Sequence, residues 1–200
     1  AWAVMMPYQL ERFSLSSASA ASFISNIFFW KQSGYFADAA IEMPLLHTWS
    51  LSVEGQFYLA FPVVLVLVWR LASRWVPAFL AIAFVISIGA AEWGAHNMRV
   101  ANYFLAPTRA WEFLAGSLIA LRPDVWKQAN RGLSEFLSIF GLFLILYAVF
   151  TFDETTRMPG LIGLAPIAGA CLVTAFATSQ TFIGRAFSLP PIVGTGLISY

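Results

Sequence analysis

Long apolar runs, separated by short polar or basic breaks, organise this chain. Five of them meet or nearly meet the ~20 residues of helix that a hydrocarbon core requires: Pro44 to Trp69, Val76 to Ala91, Phe104 to Leu121, Leu133 to Phe152 and Leu161 to Thr178. The second is short but carries no charge. Backbone groups in lipid must be satisfied within the spanning segment, which predicts helices, and no alternation of period two suggests a barrel. The ends read as cut, with Ala1 to Pro7 the tail of an apolar segment and Ile192 to Tyr200 the start of another. The expected fold class is all-α: a polytopic integral membrane helix bundle of about five complete spans, with partial spans at both ends.

Residues 8 to 43 break this pattern. They are amphiphilic, rich in Ser and Ala, and hold Phe28, Phe29, Trp30, Tyr35 and Phe36, which suit a membrane interface. They predict an extracytoplasmic loop with one interfacial or partly buried helix near Ala18 to Trp30. The serines there, with Asn26, argue against a full span.

The polar stretch His47-Thr48-Trp49-Ser50-Leu51-Ser52-Val53-Glu54-Gly55-Gln56-Phe57-Tyr58-Leu59 runs straight into the apolar residues Ala60 to Trp69. Polar groups are costly in lipid, so a helix that carries them inward is a candidate functional site. At about 100° per residue, His47, Ser50, Leu51, Glu54, Tyr58 and Phe61 share one stripe, while Ser52 and Gln56 face elsewhere. Ser50 and Glu54 are one turn apart and within hydrogen-bonding reach. His47 and Glu54 are two turns apart, ~10 Å along the axis, so a continuous helix prevents their contact. Two readings of Glu54 stand: a carboxylate that accepts a proton or orients a ligand, or a structural partner to an arginine of the bundle. Trp49 reads as an interface anchor, and His47 as a group near the helix start.

A second cluster is Asn102-Tyr103-Phe104-Leu105-Ala106-Pro107-Thr108-Arg109-Ala110-Trp111-Glu112-Phe113-Leu114-Ala115-Gly116. Pro107 suits the first turn of a helix. Arg109 and Glu112, three apart, can pair on one face, with Trp111 pointing away. Gly116 and Ala120 form a small-residue pair that permits close helix packing. The planar fork of Arg109 could bind an anionic or hydroxyl-rich ligand.

Composition narrows the class. The chain is 60% hydrophobic and 10% charged, against about 25% charged in soluble domains, and its mean hydropathy is +0.74. A net charge of +1 gives no basic field for nucleic acid. Cys171 is the single cysteine and reads as a packing residue. With only His47 and His96 as histidines, no metal-ligand cluster is expected; His96 falls in a polar loop between spans. One set of loops would hold Arg70, Arg74, Arg122, Lys127, Arg131 and Arg185, with Asp124 the clear acid among them. The other would hold Glu11, Arg12, Lys31, Asp38, Glu42, Glu92, Arg99, Asp153, Glu154 and Arg157. The more purely basic side is expected to be cytoplasmic, which places His47 near the outer surface.

The stretch from His47 to Leu59 resembles, almost letter for letter, the H-T-W-S-L-S-V-E-x-Q-F-Y-L signature of the acyltransferase-three family. The resemblance extends to Ser25-Asn26-Ile27-Phe28-Phe29-Trp30, Ser33-Gly34-Tyr35-Phe36 and Pro44-Leu45-Leu46-His47. It also covers Pro107-Thr108-Arg109-Ala110-Trp111-Glu112, which matches a P-T-R-x-W-E block, and the tail Val193 to Tyr200. It departs at Gly55, where the family usually has a second Glu. The family's catalytic histidine and its basic cytoplasmic motif would lie upstream of Ala1, so residues 1 to 200 alone are expected to be inactive.

What the resemblance implies is a multi-pass O-acyltransferase of the cell (inner) membrane, surrounded by lipid. It would move an acyl group, in the first instance acetyl, from acyl-CoA to a hydroxyl of a cell-surface polysaccharide such as lipopolysaccharide. The first-loop pattern resembles the subgroup with an extracytoplasmic hydrolase-like domain after the bundle. Glu54 and His47 are the candidate catalytic residues, and Ser50, Tyr58, Arg109 and Glu112 the candidate substrate contacts. No metal or nucleic acid is implied. The competing class is a transporter or exporter of a glycan or acyl group, whose internal repeats or broken helices are not visible in the sequence.

Overall fold

The computed structural model describes residues 6–33, 45–123, 126, 128–153 and 155–198, apart from the Tyr8 side chain. Several sequence expectations lie outside them: the start at Ala1, the interfacial Tyr35 and Phe36, the Pro44 start of the first span, and the Ser199-Tyr200 tail. So do the loop charges Asp38, Glu42, Asp124, Lys127 and Glu154.

Among the described residues all regular structure is helical. In chain order the helices are α1 (Pro7–Ala21), α2 (Ser25–Ser33), α3 (Thr48–Ala72), α4 (Val76–Asn97), α5 (Arg99–Phe104), α6 (Ala110–Ala120), α7 (Arg131–Thr151), α8 (Leu164–Phe176), α9 (Phe182–Phe187) and α10 (Pro190–Ile198). Two stretches are long and apolar enough to cross a membrane: Thr48–Asn97, of 50 residues, and Arg131–Thr151, of 21. The first is interrupted at Ala72, whose φ of −159° and ψ of 63° leave the helical region. The break separates helices of 25 and 22 residues. Apolar side chains point outward along both, with Leu59 68%, Leu71 85% and Ile86 66% exposed. A helix apolar on all sides needs an apolar surround.

The structure shortens the third and fifth expected spans. Phe104 to Leu121 is not one helix. Leu105 is extended, Ala106–Thr108 form a 3-10 turn around Pro107, and α6 has 11 residues. Leu161 to Thr178 reduces to a turn at Leu161–Gly163 and a helix of 13 residues. At 1.5 Å per residue α8 reaches only ~20 Å. The N-terminal stretch is also more helical than a loop. Proline at the first position and a bond from the Met6 N–H to the Gln9 side chain start α1. The expected helix from Ala18 to Trp30 is split at Phe23, which adopts a positive φ of 54°.

The chain forms two compact units, Ala1–Phe113 with Arg157–Leu161, and Leu114–Thr156 with Ile162–Tyr200. Buried polar side chains bind the helices of the first together. The Ser25 and Ser52 hydroxyls lie 2.7 Å apart, and Ser25 also donates to the Thr48 carbonyl. Gln56 Nε2 donates to the Phe23 carbonyl at 2.7 Å and to Asn26 Oδ1 at 2.8 Å, while Asn26 Nδ2 donates to the Phe104 carbonyl at 3.1 Å. Ser87 links α4 to the Pro107 turn, donating to the Pro107 carbonyl and accepting from the Trp111 N–H. Asn102 donates to the carbonyls of Ala91 and Pro159. Phe29 and Trp111, both fully buried, are the large apolar centres of this unit.

In the second unit, α7 and α8 pack through glycine. A Cβ on Gly141 would stand 2.7 Å from the Gly169 carbonyl oxygen, and one on Gly169 2.6 Å from that of Gly141. Such contact of backbones needs residues without side chains. Ser134, Ser138 and Ala148, all buried, continue the same face of α7. The expected close-packing pair behaves otherwise, for no described atom lies within 4 Å of a Cβ built on Gly116.

Candidate functional site

The polar stripe of α3 forms because the helix is continuous from Thr48, with His47 as its N-cap residue. His47 and Glu54 are therefore two turns apart, as the spacing requires. The His47 side chain caps nothing and is exposed. The Ser50 hydroxyl donates to the His47 carbonyl at 3.2 Å rather than to Glu54.

Glu54 meets the second sequence cluster. A cleft of about 140 Å³ is lined by Trp49, Ser50, Val53 and Glu54 from α3, and by Arg109, Glu112 and Phe113 from the turn and first residues of α6. This is smaller than the ~300–1,000 Å³ of pockets that hold a whole small ligand. It admits a small group such as an acetyl or a hydroxyl.

Arg109 is the most constrained group there. Its Nη2 lies 3.2 Å from Glu112 Oε1, with side-chain exposures of 18% and 19%. Its guanidinium lies 4.9 Å from the centre of the Trp49 ring and 5.8 Å from that of Tyr103. Trp49 in turn packs on Tyr103 at 4.6 Å and on Phe104 at 5.5 Å. A cation over aromatic faces is held in plane as well as in position. The Glu54 carboxylate has neither an ion pair nor a hydrogen bond among the described residues.

Of the sequence candidates, Ser50, Glu54, Arg109 and Glu112 come together. His47 and Tyr58 do not line the cleft; Tyr58 is 52% exposed and its ring lies 6.4 Å from that of Phe113, which does. The sequence pattern does not mark Trp49, Tyr103 and Phe113 as site residues, and Trp49 is a wall of the cleft rather than a bare interface anchor. Their signal was that aromatics flank Arg109 and share the signature helix. His96 lies inside α4, not in a loop, with Nδ1 3.6 Å from Glu92 Oε1.

The comparisons with known proteins agree with a membrane acyl-transfer setting. The chain is 30% identical over 173 residues to a Haemophilus influenzae protein named "Uncharacterized protein", covering 81% of this chain and 69% of the relative. It is 28% identical to "Putative membrane-bound transacylase BcsY" of Komagataeibacter xylinus, over 94% of this chain and 47% of the relative. It is 31% identical to "Putative O-acetyltransferase SACOL0978" of Staphylococcus aureus, over 91% of this chain and 32% of the relative. The chain thus spans about half and a third of the lengths of these last two. No family model and no solved structure matches it.

Proposed function

We propose that this chain, which belongs to one family with the Haemophilus influenzae protein and is acyltransferase-like, serves a membrane O-acyltransferase of the acyltransferase-three type. The donor is acyl-CoA, with acetyl the transferred group, and the acceptor is a hydroxyl of an extracytoplasmic polysaccharide. The helices cross the inner membrane several times, with the arginine-rich loops in the cytoplasm.

The observation that carries this reading is the position of Glu54. A carboxylate without a partner among the described residues stands at the polar start of a long apolar helix, in the same small cleft as an arginine fixed by two aromatic rings. Transfer forms a carbon–oxygen bond to the acceptor and breaks the carbon–sulfur bond of the thioester; the hydroxyl proton moves to a base and from there to the leaving thiolate, so that coenzyme A departs as the free thiol. Glu54 accepts that proton or holds the hydroxyl for another base, and the free N–H groups of Arg109 face the developing negative charge.

The test is Glu54→Gln in the full-length, membrane-embedded protein, with labelled acetyl-CoA and glycan acylation read out beside membrane abundance. Loss of a proton-transfer group lowers transfer by at least about 10²-fold, with abundance unchanged. Retained transfer would discard the assignment, and matched losses in both readouts would make Glu54 structural.

A further inference from the structure

The second unit holds a larger cleft that acyl transfer at Glu54 does not use. It has a volume of about 460 Å³ and is lined by Arg131, Gly132, Glu135, Gln180, Phe182 and Arg185. This is within the ~300–1,000 Å³ of small-ligand sites. Its two arginines stand at the same end of the antiparallel α7–α8 pair, Arg131 opening α7 and Arg185 following α8 in α9. The chain brings them together because Glu135 accepts the Phe182 N–H with both carboxylate oxygens, each at 3.0 Å.

That bond also decides the chemistry. The one acid of the cleft is turned to the backbone, and neither arginine has an ion pair among the described residues. Arg185 Nε donates to the Ser179 carbonyl at 3.3 Å, which fixes the guanidinium and leaves its outer N–H groups free. In the same lining, Phe182 is 68% exposed and Gln180 is exposed. Paired guanidiniums suit phosphates, an exposed ring suits a stacked base, and an amide suits the hydrogen-bonding edge of adenine.

We propose that this cleft binds a phosphorylated adenine nucleotide, the part of a coenzyme A thioester remote from its reactive sulfur. The proposal rests on the reading that acyl-CoA is the donor.

The test is calorimetric titration of adenosine 3′,5′-bisphosphate into the purified protein in phosphatidylcholine nanodiscs. Saturable binding is expected, weakened about tenfold or more by Arg131→Gln and by Arg185→Gln. Phe182→Leu should weaken the nucleotide but not inorganic phosphate. Thermal midpoints of the variants, unchanged from the parent, exclude misfolding as the cause. No saturable binding, or equal binding by parent and arginine variants, would overturn the proposal. In nanodiscs that also contain phosphatidylglycerol, occupancy of the cleft by that lipid which the nucleotide cannot displace would assign the arginines to lipid headgroups and overturn it too. Transfer kinetics separate the two readings. If acetyl-CoA is used with an unchanged KM in the arginine variants, the cleft is misassigned while acyl transfer stands. If the nucleotide binds but the full-length membrane enzyme turns over no acyl-CoA, acyl transfer fails while the cleft stands.

Discussion

Replacing Arg109 separates what its charge does from what its shape does. The guanidinium faces the Trp49 and Tyr103 rings at 4.9 and 5.8 Å, and Nη2 lies 3.2 Å from Glu112 Oε1. Lysine keeps the charge, so its attraction to Glu112 survives. The flat contact with two rings is lost, at about 0.5–1 kcal/mol each for a part-exposed site, so Arg109→Lys should cost ~1–2 kcal/mol of stability. Arg109→Met keeps the apolar stem but leaves Glu112 without its cation. Removing one partner of a fully buried pair costs about 3–5 kcal/mol; with exposures near 18% and 19%, ~2–3 kcal/mol is expected here. Thermal midpoints in detergent should therefore fall in the order parent, Arg109→Lys, Arg109→Met. A cycle with Trp49→Leu should give a coupling to Arg109→Lys of about 0.5–1 kcal/mol. Acyl transfer should respond differently. Because an ammonium cannot copy the planar donors, Arg109→Lys should lose most transfer while staying at normal membrane abundance. Near-parental transfer by Arg109→Lys would refute a specific role for the guanidinium. Equal midpoints for the lysine and methionine variants would refute the ion pair as a stabilising contact.

Three further outcomes are expected. Gly141→Ala should destabilise the α7–α8 pair by about 1–2 kcal/mol, because overpacking against the Gly169 backbone outweighs the ~1 kcal/mol helix gain. Gly116→Ala, into open space, should show only the gain, and matching rises in thermal midpoint for the two would contradict the packing. Gly55→Ala should push its Cβ into the Phe23 ring, and Phe23→Gly should rescue it by removing both the ring and the strain of a side chain at the positive φ of 54°; additive thermal shifts would show that the two residues do not meet. Hydrogen bonds from Thr155, and then from Thr156, hold the Asp153 carboxyl below its ordinary value. The folded turn favours the ionised form, so its contribution is present above the ordinary value and lost as pH falls through the lowered one. Exchange protection of the Thr155 and Thr156 amides should drop in acid, and protection equal in Asp153→Asn and parent at neutral pH would count against it.

What the sequence made legible follows from local periodicity. The polar stripe of α3, the Arg109–Glu112 pairing and the apolar lengths of α3, α4 and α7 all depend on neighbours within a few turns. What it hid depends on distant partners. Helical spacing turns Ser52 and Gln56 away from the stripe, and they bond to Phe23 and α2, residues 27 to 33 positions away. Nothing local marks a serine as buried against another helix. The break at Leu105 was signalled, since a proline disfavours helix just before it, but apolar length outweighed that signal in the reading of a full span. Glu135 carries a signal of the same kind. An acid near the start of an apolar helix demands a partner, and the partner is the Phe182 N–H, 47 residues on.

The two faces of α3 bear on the choice between the readings of Glu54. A structural carboxylate in such a bundle requires a cation or a set of donors, since an unpaired buried charge is costly. The nearby arginine that could serve is Arg109, and it is engaged by Glu112 at 3.2 Å and by two aromatic rings. The donors that could serve instead, Gln56 and Ser52, are spent on α2. The helix thus places its hydrogen-bonding side chains on one face to hold the fold, and leaves the carboxylate of the other face facing a cleft of about 140 Å³ with no partner among the described residues. That arrangement, part-buried and without a partner among the described residues, supports Glu54 rather than His47, exposed at the helix start, as the residue on which the proposed transfer depends.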